Sequence, residues 1–213
     1  MISHASSRSG HPRPPGQRRP LRTSRELRHP PAPPLRETEW PPSVGESGWA
    51  TVQIVPNVFD PGWDAEQDHP PFTWRRARLG RQAGGEKLGA SLYELPPGAS
   101  SFPLHAHHAN EELLVVLVGR PTLRTLDSER TLEPGEVVAC CTGRRGAHRL
   151  DNRSDQPVRV LIISTMLAPE LNEYPDSGKL WARNYPPGGD PDDDPVELIA
   201  RPEDGVDYLD GEV

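Results

Sequence analysis

The chain has 213 residues, of which 33% are hydrophobic and 26% charged, with a net charge of −7 and a mean hydropathy of −0.70. Its longest apolar run, Leu113–Val118, is far short of the roughly 20 residues a membrane-spanning helix needs. The basic N-terminus lacks the apolar stretch of a secretory signal, and two adjacent cysteines, Cys140 and Cys141, make no disulfide framework, so the expectation is a cytoplasmic protein with no membrane partner.

In chain order, residues 1–50 come first and hold ten of the 27 prolines. Residues 1–36 carry eight arginines and one acid, Glu26, a net +7, which leaves −14 for the rest. No aromatic residue is interleaved with these arginines to stack on bases, so a nucleic-acid arm is not expected. Residues 1–50 read instead as a disordered Pro/Arg-rich extension, unable to bury enough apolar surface to offset its ordering entropy.

Residues 51–170 read as one β-barrel domain. Short runs rich in β-branched and aromatic residues are punctuated by Gly, Pro and Asp. They are FTWRRARL (72–79), KLGASLYEL (87–95), EELLVVLV (111–118), PTLRTLD (121–127), ERTLEPGEVVAC (129–140) and PVRVLIISTM (157–166). That rhythm predicts an all-β sandwich or barrel, with no helical pattern long enough for βαβ units. LLVVLV offers apolar residues to both faces of its strand, so its outer face needs a cover. A second sheet, VQIVPNVF (52–59) or a partner subunit would serve, and the last makes a homodimer the expected assembly. Residues 171–213 read as a C-terminal turn-rich tail packing on or over the barrel, with YPDSGK (174–179) and DYLDGE (207–212) as turn and edge segments.

The segment with chemistry in it is GASSFPLHAHHANEELLVVLVG, residues 98–119. His105 and His107 are two apart, so on an extended strand both imidazoles leave the same face. Glu112 follows, and His148 comes from a separate strand in GEVVACCTGRRGAHRLDN, residues 135–152. Imidazole nitrogens with one carboxylate suit a first-row divalent ion: Fe, Mn, Ni, Co or Zn. Glu112 shares a strand face with Leu114 and Val116 whereas Glu111 points the other way, although a bulge would exchange them. His108 is out of phase with the pair and reads as a solvent-facing or supporting side chain. Tyr93, Glu94, Arg124 and Cys141 are further candidates for the lumen, half of which alternation sends outward. The thiols read most simply as buried core. Gly98, Gly119, Gly135 and Gly143 fall at turns, and Asn152 reads as a loop-holding residue.

These spacings resemble the two motifs of the cupin superfamily. The first is present as Gly98, six residues, His105-Ala106-His107, four residues, Glu112, six residues, Gly119. The second is present as Gly135, five residues, Cys141-Thr142-Gly143, four residues, His148, three residues, Asn152. Relative to the usual motifs the leading glycine lies one residue further out. Cys141 replaces a proline, and two extra residues lengthen the loop before His148. None of these departures touches a ligand position. The resemblance implies a double-stranded β-helix, or jelly roll, with one divalent metal on His105, His107, Glu112 and His148.

Four protein donors leave coordination positions open, the mark of catalytic rather than structural sites. The expected function is a small-molecule enzyme of dioxygenase, isomerase or decarboxylase type. The alternative is a non-catalytic, metal-dependent module that binds or senses a small ligand.

Overall fold

The computed structural model describes residues 55–191 and 193–212. The extension expected over residues 1–50, and the first three residues of VQIVPNVF, lie outside the described residues. Thirteen strands are formed among those described: β1 (Ala65–His69), β2 (Phe72–Ala77), β3 (Leu88–Leu95), β4 (Ala106–His107), β5 (Glu112–Val118), β6 (Thr122–Arg124) and β7 (Glu129–Thr131), then β8 (Val137–Cys140), β9 (Arg149–Asp151), β10 (Val158–Thr165), β11 (Glu170–Tyr174), β12 (Lys179–Arg183) and β13 (Glu197–Ala200). The one α-helix among the described residues, α1 (Leu79–Gln82), is a single turn.

Hydrogen bonding arranges the strands as a six-stranded sheet, β1-β2-β3-β10-β5-β8, a four-stranded sheet, β13-β12-β11-β4, and a three-stranded sheet, β7-β6-β9. All named pairings are antiparallel. The architecture is the all-β double-stranded β-helix the motifs implied.

The expected run 129–140 is two strands rather than one. Gly135 takes a φ of +87° between them, a conformation open to glycine but strained for other residues, and the chain reverses there. Gly119, at φ +77°, ends β5 with no room for a side chain, since a Cβ would stand 2.6 Å from Val158 Cγ1.

The inward positions of the central strands form layers. Tyr93, Val160 and Val116 align across β3, β10 and β5; Ser91, Ile162 and Leu114 form the next layer; Gly89, Ser164 and Glu112 form the last. The first layers belong to a core that also contains Leu95, Leu123, Leu132, Leu150 and Val158. Side chains at i and i+2 share a face, so a strand that reads Val116, Leu114, Glu112 changes from apolar filling to a polar mouth within three inward positions. The outer face of LLVVLV is covered within the chain at Leu117, in a cluster with Val58, Trp63, Leu92 and Leu161, while Leu113 stays exposed.

Residues 171–213, expected as a tail, contribute three strands. β11 begins at Glu170 and pairs with β4, setting Asn172 opposite His107, so the expected boundary at 170/171 falls inside a strand that supports the histidines. ELNEY and KLWAR turn Glu170, Asn172 and Arg183 to the interior. Their inward face mixes these polar groups with Tyr174 and Trp181, so no clean apolar alternation marks them as strands.

Candidate metal centre

His105 and His148 meet across an antiparallel bridge. The His148 amide donates to the His105 carbonyl at 2.9 Å, and the His105 amide to the His148 carbonyl at 3.3 Å. Directly paired residues send their side chains to the same face, and His107, two residues on, joins them. The imidazole centroids are 4.7 Å apart for His105 and His148, 4.9 Å for His105 and His107, and 6.3 Å for His107 and His148. Glu112, at the start of β5, brings Oε2 to 3.1 Å from His148 Nε2 and 3.6 Å from His107 Nε2. One donor atom each from His105, Glu112 and His148 lie within 4.8 Å of one another. His107 stands beside this trio at the Glu112 contact, and all four side chains are buried. Glu111 is exposed.

The three imidazoles are also oriented alike. His105 Nδ1 lies 3.0 Å from the Pro103 carbonyl, His148 Nδ1 2.9 Å from the Gly146 carbonyl, and His107 Nδ1 3.2 Å from Glu170 Oε2. Each acceptor favours a proton on Nδ1 and turns Nε2 away from it. Such outer hydrogen bonds fix the tautomer of metal-ligating histidines. Asn172 also touches His107 Nδ1, with Nδ2 at 2.9 Å, while its buried Oδ1 has no partner.

Glu170 is held on all sides. Its Oε1 accepts from the backbone amides of His108, Ala109 and Leu171, while Asn110 donates to Oε2. Burial alone would raise its carboxyl, but the His107 and Asn110 bonds outweigh burial and hold it at about 2. Glu170 therefore stays a carboxylate behind His107.

Burial, reinforced by the neighbouring His148 and His107, pushes His105 down to about 3, so its ring is neutral throughout the ordinary pH range. His148 moves the other way. Burial lowers it, but hydrogen bonds to Cys140 and Glu112 prevail and raise it well above the usual histidine value. The same contact, with the other histidines, holds Glu112 below the usual carboxylate range against its own burial. A buried carboxylate with three imidazoles around it makes a donor set suited to a cation.

The loop before His148 is tightly built. A Cβ on Gly146 would stand 1.7 Å from the Cys141 carbonyl oxygen, so the lengthened Arg144–Gly146 turn accepts glycine alone there. Asn152 donates from Nδ2 to the Leu95 and Gln156 carbonyls and accepts from the Ser154 amide, the loop-holding role its position suggested. His108 is partly exposed and faces Glu173 at 3.3 Å. Of the further lumen candidates, Tyr93 lines the cavity. Glu94 instead bonds Arg75 and Arg159, and Arg124 bonds Asp176. Cys140 is buried, but Cys141 is exposed, which corrects the expectation that both thiols are core. Neighbours along an extended segment cannot share a face.

A cavity of about 700 Å³ opens above the cluster, with His105, His107 and Glu112 at one end. Its walls include Arg76, Asn172, Tyr174, Trp181 and Arg183, none of which the cupin motifs contain. Glu170, Asn172 and Tyr174 alternate as His105 and His107 do. That period of two was the one available signal for them.

A double-stranded β-helix with histidines and a glutamate gathered at its mouth is a cupin-type barrel. Residues 91–164 match the family described as the Cupin domain, which agrees with the fold and the two motifs. No curated protein matches the chain. Among solved structures, the chain is similar to a candidate sugar phosphate isomerase from Acidithiobacillus ferrooxidans, at 25% identity and a TM-score of 0.57, over 66% of this chain and 86% of that one. It is also similar in fold to a cupin-superfamily sugar phosphate isomerase from Silicibacter pomeroyi, at 23% identity and a TM-score of 0.59, over 73% of this chain and 97% of that one.

Proposed function

We propose that the protein is a small-molecule enzyme, of isomerase type, centred on one divalent metal ion held by His105, His107, Glu112 and His148. The observation that carries this reading is the common orientation of the histidines. All three have Nδ1 tied to an oxygen, at 2.9–3.2 Å, so that Nε2 is left toward the cluster. Bound there, the ion would supply Lewis-acid polarisation of a substrate oxygen. The chain's own residues do the rest. Glu170 and Asn172 orient His107, Glu112 supplies the negative charge, and the cavity walls exclude bulk water from the bound substrate. The likeness to the Acidithiobacillus ferrooxidans protein supports an isomerase over a dioxygenase or decarboxylase.

One observation favours the second reading, a metal-dependent module that binds without turnover. Apart from Glu112, the carboxylate nearest the histidines is Glu170, and its oxygens already serve His107, Asn110 and three backbone amides. Tyr174, stacked near His105, is pushed up to about 12 by burial, with Arg183 acting weakly against this. Neither group is free to shuttle a proton near neutrality.

Elemental analysis of the purified chain, followed by aldose–ketose interconversion assays on small phosphorylated sugars, tests both readings. Stoichiometric metal with interconversion is the expected result. Metal without turnover on any such substrate moves the assignment to the binding module, and protein free of metal after incubation with each candidate ion overturns both.

A further inference from the structure

The reading above leaves two arginines unexplained. Arg183, at the end of β12, is only 5% exposed, yet its Nε and Nη1 have no hydrogen-bond partner. Among the described residues it makes no ion pair. Its guanidinium lies 3.9 Å from the Trp181 ring centroid and 5.6 Å from that of Tyr185, and it borders the cavity. The acids that face it are committed elsewhere. Glu170, its register partner, is saturated by its own donors. Glu197 accepts from Trp181 Nε1 at 2.9 Å and from the Tyr185 hydroxyl at 2.7 Å. A buried guanidinium with idle donors is costly unless something neutralises it.

A second arginine, only partly buried and in contact with Tyr93, also brings an unpartnered nitrogen to the cavity lining. Arg76, on β2, lines the same cavity beside Tyr93, its register partner on β3. Its Nε is buried without a partner, and the guanidinium stands 5.8 Å from the Trp74 ring centroid. Two arginines from two sheets thus border the cavity that His105, His107 and Glu112 close at one end.

We infer that Arg183 and Arg76 form an oxyanion subsite that holds the phosphate monoester of a small substrate. Two guanidinium forks carry a charge of two and more donors than a carboxylate can accept, which matches a phosphate dianion with three terminal oxygens. The inference rests on the proposed function only for what the rest of the substrate does, since anion binding itself requires no metal.

The test is titration of inorganic phosphate into the purified full chain, as isolated and after chelator treatment, read by calorimetry and melting temperature. Phosphate is expected to bind and to raise the melting temperature in both states. Arg183→Met should weaken binding at least about tenfold and abolish the phosphate-dependent rise. Without phosphate it should melt no lower than the parent, because it removes an unneutralised buried charge; a merely structural arginine would give a lower value. Should Arg183→Met not fold, Arg183→Lys and Arg76→Met carry the test, each expected to weaken phosphate several-fold. Equal phosphate binding by the parent and these variants overturns the subsite, as does binding confined to metal-loaded protein. Acetate binding as tightly as phosphate overturns the phosphate assignment. Purified chain that binds phosphate through Arg183 but takes up no metal sinks the metal reading alone.

Discussion

The two ends of the barrel are made from the same strands and differ in what their inward positions carry. At the closed end, β5 and β10 turn Val116, Val158 and Val160 inward against Leu95, Leu123 and Leu150. At the open end the same strands turn Glu112 and Ser164 inward, and His105, just before β4, joins His107 of β4 and Glu170 and Asn172 of β11 around them. The closed end is held by burial of apolar surface, worth about 25 cal/mol per Å². The open end is held by named hydrogen bonds, and a buried polar group there costs stability wherever a partner is missing. Stability should therefore reside in one end and binding chemistry in the other, and substitutions can separate them.

The largest expected effect lies at the open end. In the double variant His105→Ala/His148→Ala only His107 and Glu112 remain as donors, so metal content should fall to background by elemental analysis. Stoichiometric metal in that variant would remove the cluster from consideration. Next comes Leu114, which is fully buried in the layer just beneath Glu112. Leu114→Ala should cost about 2–5 kcal/mol in denaturant unfolding, with metal stoichiometry retained by whatever remains folded. If metal uptake vanishes while the variant is still folded, the two ends are not separable. A smaller effect is expected at Glu170→Gln, which preserves shape but removes the charge behind His107. Metal affinity should drop about 10–100-fold, and an unchanged affinity would reduce Glu170 to a packing role.

The closed end and the His105/His107 pair were legible in the sequence, because both are written in period two. LLVVLV alternates apolar residues, and His105 and His107 repeat that spacing with a metal-binding residue type. The second wall was not legible. ELNEY and KLWAR alternate Glu170, Asn172 and Arg183 with half-buried neighbours, so the cue that separates inside from outside elsewhere is absent. Those inward polar residues become intelligible only once β11 is seen paired with β4. The residues that orient His107 and those that border the cavity therefore came from the fold. Glu112 over Glu111 was a strand-parity argument, and the structure buries the first while exposing the second.

The smallest predicted effect belongs to an ion pair at the closed end. Asp151 accepts from Ser100 Oγ at 2.7 Å and from Arg149 Nη2 at 2.9 Å, with Arg153 also within reach. Burial alone would raise its carboxyl, but the Arg149 and Ser100 bonds and the arginine charges prevail and lower it. A carboxyl that is more acidic when folded binds fewer protons there than in the unfolded chain, so its contribution to stability grows with pH. That contribution should be complete above the ordinary carboxylate value of about 3.9 and lost as pH falls through the lower folded value. Asp151→Asn should therefore be less stable than the parent by about 1–2 kcal/mol at neutral pH. The two denaturation curves should converge below about pH 4, where the parent's carboxyl also gains its proton. Metal content should be the same in both proteins. A difference that persists undiminished to low pH would show that the hydrogen bonds to Ser100, rather than charge, hold this corner. Loss of metal in Asp151→Asn would show that the closed end positions the cluster after all.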